Sequence, residues 1–182
     1  LGAYFKDPTL FSRDADKAMY RPLLLVSLAL NYAWSGTETY SYHWVNILLH
    51  GVCCLLVWGI LTGLSLHPCM ALLGALLFLV HPICTEPVNY ISSRATLLAA
   101  VGVCGAFLLY VQGKTYYWAA PIVYLMALFS KESAIVLPGL LVIYDYSKRH
   151  LSRGTIKNYI PFAIISMMFL WHSWSITGFL AK

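Results

Sequence analysis

The segment between His81 and Arg94 brings side chains that could do chemistry to the edge of two strongly apolar runs. Glu86 could accept a proton from a hydroxyl group, and Arg94 could hold a phosphate through paired hydrogen bonds. Ionisable groups next to a bilayer are costly to desolvate, so their presence there indicates a functional site. The alternative is that Glu86 and Arg94 form an ordinary ion pair at the membrane interface.

A second polar turn, at residues 130–133, carries Lys131 and Glu132. Both turns connect apolar runs, so they could converge on one cavity that opens to the same side of a membrane. There Lys131 would act as a point charge on a phosphate, with Glu132 orienting it. The alternative is again an interfacial ion pair, between Lys131 and Glu132 themselves.

His43, Asn46 and His50 are spaced i, i+3 and i+7, which places them on one face of a helix. This stripe could line the same cavity, or it could supply hydrogen bonds between helices. His50 and His172 lie at similar depths in two apolar runs and could hold a haem, whereas lone membrane histidines are ordinarily hydrogen-bonded core residues.

The composition identifies an integral membrane protein. Of 182 residues, 60% are hydrophobic and 10% are charged, and the mean hydropathy is +0.71. Soluble domains carry about 25% charged residues. The net charge of +5 does not indicate a nucleic-acid partner, because the densest basic group lies between two apolar runs, as in a cytoplasmic loop.

The apolar runs predict an all-α, polytopic membrane bundle of about six transmembrane helices plus one interfacial helix. The run at 23–34 is shorter than the ~20 residues of a span, which favours an interfacial helix. The predicted spans are 43–66, 69–80, 94–111, 116–129, 134–146 and 159–181, with a kink expected at Pro138-Gly139. Residues 1–42 are therefore predicted to be an external segment, and 43–182 the transmembrane bundle.

The charges of the loops predict an orientation. If the basic loop at 147–158 is cytoplasmic, alternation places residues 1–42, 81–94 and 130–133 on the non-cytoplasmic side. The expected location is the bacterial inner membrane, or the endoplasmic reticulum in a eukaryote. Membrane lipid is an expected partner.

Several motifs resemble, in order and spacing over residues 20–146, the transmembrane and tetratricopeptide-repeat-containing O-mannosyltransferases. The motifs are Tyr20-Arg21-Pro22-Leu23, Leu30-Asn31-Tyr32, His43-Trp44-Val45-Asn46, His81-Pro82-Ile83, Thr85-Glu86, Arg94-Ala95, Ser130-Lys131-Glu132 and Tyr144-Asp145. The resemblance implies a GT-C-type fold and transfer of a sugar, typically mannose, from a polyprenyl-phosphate carrier to an acceptor on the non-cytoplasmic face.

On this resemblance Glu86 would be the catalytic acid-base residue, and Arg94 and Lys131 would hold the carrier phosphate. The remaining substrate-binding residues would be His43, Asn46, His81, Glu132 and Arg21. No metal ligand is expected within the chain, and no cofactor, unless the full-length protein carries the acidic pair of the class, in which case a divalent metal is expected.

Two departures from the family pattern favour an alternative. The acidic pair that usually follows a first transmembrane helix is absent, since Asp14 and Asp16 lie too close to Tyr20 to match it. The tetratricopeptide repeats are absent as well. The chain is thus expected to be a middle slice of such an enzyme, or a truncated, non-catalytic relative that serves as a scaffold among other membrane subunits.

Overall fold

The described part of the chain consists of helices and their connections, without a strand. The computed structural model of the protein describes residues 20–113, 118–148 and 153–180. Its α-helices are α1 (Pro22–Ser35), α2 (Thr39–Gly63), α3 (Pro68–Val80), α4 (Thr85–Asn89), α5 (Arg94–Val111), α6 (Ala119–Ser130), α7 (Leu137–Ser147) and α8 (Arg153–Leu180). Of the expectations above, those for residues 1–19, for the start of the predicted span 116–129, for residues 149–152 of the basic loop and for the end of the span 159–181 lie outside the described residues.

Helix α1 is the short apolar helix that the sequence predicts at 23–34. It begins at Pro22, whose fixed φ and missing N–H suit a first helical position. It ends at Ser35 and is followed by Gly36, where φ is +59°, a conformation that glycine adopts without a steric cost. With 14 residues it is shorter than a span. Its position at the membrane interface stays a prediction.

Two helices of the described residues are long and apolar enough to cross a membrane, Thr39–Gly63 and Ile91–Val111. A third span results if Pro68–Val80 and Pro82–Asn89, bent by 52° at their junction, form one broken crossing. Helices α6 and α7 have 12 and 11 residues, against the ~20 of a complete span. The predicted membrane character is confirmed by these helices, whereas the number of six spans stays a prediction.

The structure gives detail at one polar segment and corrects an expectation at Pro138. The segment 81–94 is a series of short helical turns, Pro82–Cys84, α4 and Ile91–Ser93. Pro138 does not kink a helix. It lies in the first turn of α7, which begins at Leu137, where a proline costs no hydrogen bond. A short 3₁₀ turn, Glu132–Val136, joins α6 to α7.

Helix α5 is central, because it packs against α2 on one side and α6 on the other. The approach to α6 is close: a Cβ placed on Gly102 would lie 2.6 Å from the Cβ of Ala127. Helix α8 packs on α6 and α7, and Phe162 of α8 is fully buried against Tyr124 of α6. The core therefore lies between α5, α6, α7 and α8.

The end of α5 that is remote from Arg94 is fixed by a buried carboxylate. Asp145 of α7 accepts hydrogen bonds from the hydroxyl groups of Tyr110 on α5 and Tyr159 on α8. A buried carboxylate requires such donors, since it loses its hydration. Asp145 thus joins three helices, and both ends of α5 are held by polar contacts.

Candidate functional site

Arg94, the first residue of α5, is completely buried, with 0% of its surface exposed. Its Nε donates to Asn46 Oδ1 at 2.9 Å, and its Nη2 donates to Asn31 Oδ1 at 2.9 Å and to the backbone oxygen of Tyr42 at 3.0 Å. Its Nη1 donates to the hydroxyl and backbone oxygens of Ser27, at 3.2 and 3.4 Å. A guanidinium has five N–H groups, so every donor is used.

The acceptors around Arg94 are neutral, and no carboxylate of the described residues forms an ion pair with it. The guanidinium carbon also lies 5.5 Å from the ring centre of Tyr42, within the range of a cation–π contact. These contacts offset the cost of removing a cation from water. They also leave no N–H group for a phosphate, so the arrangement departs from the role expected for Arg94.

Asn46 carries the contact onward to the segment that precedes α5. Its Nδ2 donates to the backbone oxygens of Val88 and Tyr90, at 3.2 and 3.3 Å, while its Oδ1 accepts from Arg94. Asn31 likewise connects Arg94 to further polar groups: its Oδ1 accepts from Arg94, and its Nδ2 donates to the hydroxyls of Ser35 and Ser41. Arg94 thus connects α1, α2 and α5 with the backbone next to α4.

Glu86 lies in the first turn of α4 and is exposed. Within the described residues its side chain has no hydrogen bond and no ion pair. The expected alternative of an interfacial Glu86–Arg94 pair is therefore wrong for this structure, because the acceptors of Arg94 are other residues. The Glu86 carboxylate is free to meet a group from outside the chain.

A small polar pocket lies where α2, the end of α3 and α4 meet, and Thr85, the residue before Glu86, is part of its lining. Its volume is about 250 Å³. It is lined by His50, Leu79, Val80, His81, Cys84, Thr85, Val88 and Asn89. We call it the His50–His81 pocket. Of the substrate-binding residues that the sequence predicts, His81 lines it.

His81 also begins the turn that follows α3, since its Nδ1 accepts a hydrogen bond from the backbone N–H of Ile83 at 3.2 Å. His67 caps the other end of α3 in the same manner, accepting from Cys69 N–H at 3.4 Å. Both histidines precede a proline, which has no backbone N–H. Each imidazole therefore accepts from the backbone N–H of the residue that follows the proline.

A second group of charged residues surrounds the turn between α6 and α7. Arg21 donates to the carboxylate of Glu132 at 2.7 and 3.3 Å, and Lys131 Nζ donates to Thr96 Oγ1 at 2.9 Å. Glu132 therefore pairs with Arg21, and the expected pairing with Lys131 is wrong. The pKa of Glu132 is held below its ordinary value: burial raises it, but the hydrogen bond from Arg21, a backbone N–H and the charges of Arg21 and Lys131 together outweigh burial.

Glu86 and Lys131 are expected to converge on one cavity, but no hydrogen bond or ion pair joins them among the described residues. Glu86 belongs to α4, which packs on α2 and α5, whereas Lys131 contacts α5 through Thr96. The buried Arg94 network lies at the same end of α5, two residues from Thr96. A substrate that touches both Glu86 and Lys131 has to reach across this end of α5.

The histidine stripe of α2 divides between two roles. His43 is half-buried, without a hydrogen bond among the described residues. Asn46 and His50 are buried, and His50 Nε2 lies 3.1 Å from the backbone oxygen of Leu79. Asn46 and His50 therefore form hydrogen bonds between helices, as the alternative interpretation of this stripe expects.

The haem alternative finds no support in the surroundings of the two histidines. His50 packs against Phe78 of α3, whereas His172 packs against Tyr20, with ring centres 5.5 and 5.1 Å apart respectively. Among the residues that the structure describes, no three His, Cys, Asp or Glu side chains are grouped as metal ligands. Asp14 and Asp16, the nearest match to an acidic pair, lie outside those residues.

Sequence reasoning missed the residues that hold Arg94. Ser27, Asn31 and Tyr42 lie on α1 and at the start of α2, 52 to 67 positions before Arg94. Asn31 had a signal, because a buried amide in an apolar helix requires polar partners. Thr96, the partner of Lys131, had none, since a threonine near the start of a helix is unremarkable.

The geometry defines a helical membrane protein with a buried arginine network and two polar sites at one end of its central helix. Protein O-mannosyl-transferase TMTC3 of Mus musculus is 33% identical over 145 residues, covering 75% of this chain and 16% of the relative. Protein O-mannosyl-transferase TMTC4 of Homo sapiens is 33% identical over 160 residues, covering 74% and 22%. Protein O-mannosyl-transferase tmtc2 of Xenopus laevis is 28% identical over 186 residues, covering 90% and 22%.

The chain belongs to the family of transmembrane and tetratricopeptide-repeat-containing protein O-mannosyltransferases. It spans about a sixth to a fifth of the length of these curated relatives. No family model and no solved structure matches it. The relatives named above are animal proteins, and the expected bacterial origin stays a prediction.

Proposed function

We propose that the chain is part of a GT-C-type membrane glycosyltransferase, which transfers mannose from a polyprenyl-phosphate carrier to a hydroxyl acceptor. The observation that carries the proposal is its similarity, over three quarters or more of its residues, to proteins named protein O-mannosyl-transferases. The chain covers a minor part of those proteins, so the activity is proposed for the complete protein.

In the proposed reaction the oxygen of the acceptor hydroxyl forms a bond to the anomeric carbon of the sugar. The bond between that carbon and the carrier phosphate oxygen breaks, and the phosphate leaves with the bonding electrons. Glu86 takes the proton of the hydroxyl, because its carboxylate is exposed and has no partner among the described residues. A carboxylate that is already paired would be a weaker base.

The carrier phosphate is proposed to lie at Lys131. Lys131 has one hydrogen bond, to an uncharged threonine, and therefore two further N–H donors. Arg94 is not proposed for the phosphate, since its five donors are used. Arg21 and Glu132 are proposed to hold the turn that carries Lys131, and His43 to lie at the edge of the acceptor path.

The site is proposed to face the non-cytoplasmic side of a multi-pass membrane domain, as the basic loop after α7 indicates. Cys69, at the start of α3, is exposed and would then be cytoplasmic, whereas Ser92 is exposed on the opposite side. A cysteine placed by Ser92→Cys should react with an impermeant maleimide on sealed cells, and Cys69 should react after permeabilisation. The reverse pattern would invert the orientation.

The experiment that tests the reaction is Glu86→Gln in the full-length protein, assayed with polyprenyl-phosphate mannose and an acceptor. We expect kcat to fall by about 10²–10⁴-fold, the usual contribution of a general base, with little change in KM. Glu38→Gln is the matched control, since Glu38 is also exposed and makes no side-chain hydrogen bond at the start of α2. If both variants keep the wild-type rate, Glu86 is not the base. If the unsubstituted full-length protein transfers no mannose, the scaffold alternative gains support.

A further inference from the structure

The His50–His81 pocket has the size and chemistry of a subsite for one sugar ring. Its volume of about 250 Å³ lies below the ~300–1,000 Å³ of clefts for drug-sized ligands. Its polar lining consists of two imidazoles, a threonine hydroxyl, an asparagine amide and a thiol. The lining contains no Lys, Arg, Asp or Glu, which disfavours a phosphate or another ion as the occupant.

Hydrogen bonds within the chain determine what each imidazole offers to a ligand. The nitrogen of His50 that faces Leu79 O is Nε2, and a carbonyl oxygen accepts, so Nε2 carries the proton and Nδ1 is an acceptor. At His81 the Nδ1 accepts from Ile83 N–H, so in the neutral ring the proton is on Nε2, which is a donor.

The acceptor nitrogen of His50 remains within reach of a ligand. Among the described residues, no buried side-chain nitrogen or oxygen is sealed from solvent without a hydrogen-bond partner. Nδ1 of His50 has no hydrogen-bond partner among the described residues, so it retains some accessible surface although the residue is 93% buried. His50 lines the pocket, so Nδ1 is assigned as the acceptor that this residue offers there.

The exposed side of the pocket supplies further polar groups. Thr85 and Asn89 are exposed and lie one turn apart on α4, with Glu86 between them in sequence. The thiol of Cys84 donates to the backbone oxygen of Phe78 at 3.5 Å and is therefore occupied. The pocket thus offers an acceptor at the buried His50 and both donors and acceptors at the exposed His81, Thr85 and Asn89. Such a set suits a ligand that carries several hydroxyl groups.

We infer that the His50–His81 pocket binds the hexose of the lipid carrier, with His50 Nδ1 accepting from one sugar hydroxyl and His81 Nε2 donating to another. This inference rests on the proposed function for the identity of the carrier. It places the sugar against Thr85 and Asn89, which lie on either side of Glu86 in the sequence of α4. The proposed base and the sugar site therefore share one short helix.

The test uses the full-length protein in lipid nanodiscs and a mannoside that bears a photoreactive diazirine. After irradiation, the labelled peptides are identified by mass spectrometry. We expect label in the peptide that contains residues 79–89, and we expect both methyl α-mannoside and polyprenyl-phosphate mannose to compete with it. Competition by methyl α-mannoside alone would assign the pocket to a free glycan and overturn the assignment to the carrier.

Two variants test the hydrogen bonds, with one matched control. His81→Ala and Thr85→Val should each weaken competition by methyl α-mannoside about three- to tenfold, the loss of one hydrogen bond. His67→Ala removes an equivalent helix cap at the other end of α3 and should leave competition unchanged. Thr85→Val leaves the helix cap at His81 intact. Weaker competition by methyl α-mannoside in this variant is therefore not the result of an altered α3.

The outcomes separate this inference from the proposed function. Label in residues 79–89 in a protein that transfers no sugar would retain the sugar site and refute the reaction. Sugar transfer without label in residues 79–89 would retain the reaction and refute the sugar site. Equal effects of His81→Ala and His67→Ala on competition by methyl α-mannoside would refute the sugar site as well.

Discussion

Arg94 Nε and Asn46 Oδ1 lie 2.9 Å apart, and the amide of the same asparagine donates to the backbone of Val88 and Tyr90. A buried cation thereby fixes the backbone that adjoins Glu86 without touching Glu86. The network is polar, fully paired and enclosed by apolar helices, and such networks are sensitive to the loss of any single member.

Replacing Arg94 with lysine should destabilise the fold strongly. An ammonium has three donors where the guanidinium has five, and its geometry differs, so acceptors on α1 and α2 would lose their partner in a buried place. We expect the free energy of unfolding to fall by about 2–3 kcal/mol, measured by denaturation in detergent micelles.

The matched control for this variant is Arg21→Lys. Arg21 also binds an oxygen acceptor, but its partner Glu132 has 56% of its side chain exposed. Water can replace that contact, so the loss should stay below about 1 kcal/mol. Equal losses for the two variants would contradict the assignment of Arg94 as the centre of a buried network.

Adding one methyl group at Gly102 should disturb the contact between α5 and α6. A Cβ there would lie 2.6 Å from Ala127 Cβ and 3.0 Å from its Cα, so the helices have to separate. Gly102→Ala should therefore cost about 1–3 kcal/mol, as overpacked cores do. Thermal unfolding of the purified protein measures the loss.

Gly51 provides the comparison, because a Cβ on Gly51 of α2 meets no atom within 4 Å. Gly51→Ala should be neutral or slightly stabilising, since alanine is the better helix former. A Gly51→Ala variant as unstable as Gly102→Ala would mean that the approach of α5 to α6 does not determine the effect, since helix propensity alone favours alanine at both positions.

The helices were largely predictable from the sequence, because apolar runs in a membrane protein leave few alternatives to helix. Helix α1 was predicted within one residue at each end, since Pro22 and Gly36 are strong start and stop signals. The start of α7 at Leu137 was predictable too, from the preference of proline for the first turn, but Pro138 was interpreted as a kink.

The partners of the charged residues were not predictable in the same manner. Pairing by proximity in sequence suggested Glu86 with Arg94 and Lys131 with Glu132. The structure instead connects Glu132 with Arg21, 111 positions away. Which polar groups meet depends on how helices pack, and the apolar pattern restricts that packing only weakly.

Lys131→Ala should weaken the use of the lipid carrier. If Lys131 contacts the carrier phosphate, its loss removes a charge-assisted hydrogen bond, and KM for polyprenyl-phosphate mannose should rise about tenfold or more with a smaller change in kcat. Lys148→Ala is the control, since Lys148 is an exposed lysine at the end of α7, on the basic loop. Should both variants raise KM equally, the phosphate lies elsewhere and general charge attraction explains the effect.

The ion pair of Arg21 and Glu132 should make stability depend on pH in acid. The pKa of Glu132 lies below its ordinary value in the folded protein, so folding favours the ionised carboxylate. The stabilisation is then complete above the ordinary pKa of roughly 4.3 and disappears as the pH falls through the lower pKa of the folded state.

Glu132→Gln should therefore unfold at a lower temperature than the wild type at neutral pH. The difference should be modest, at most about 1 kcal/mol, because the carboxylate is more than half exposed. It should shrink once the pH falls below the ordinary pKa of the carboxyl and vanish below the lower pKa of the folded state, where wild-type Glu132 becomes neutral as well. Thermal unfolding of both proteins across this range measures it. A difference that persisted unchanged in strong acid would show that shape or packing at residue 132, and not its charge, stabilises the turn that carries Lys131.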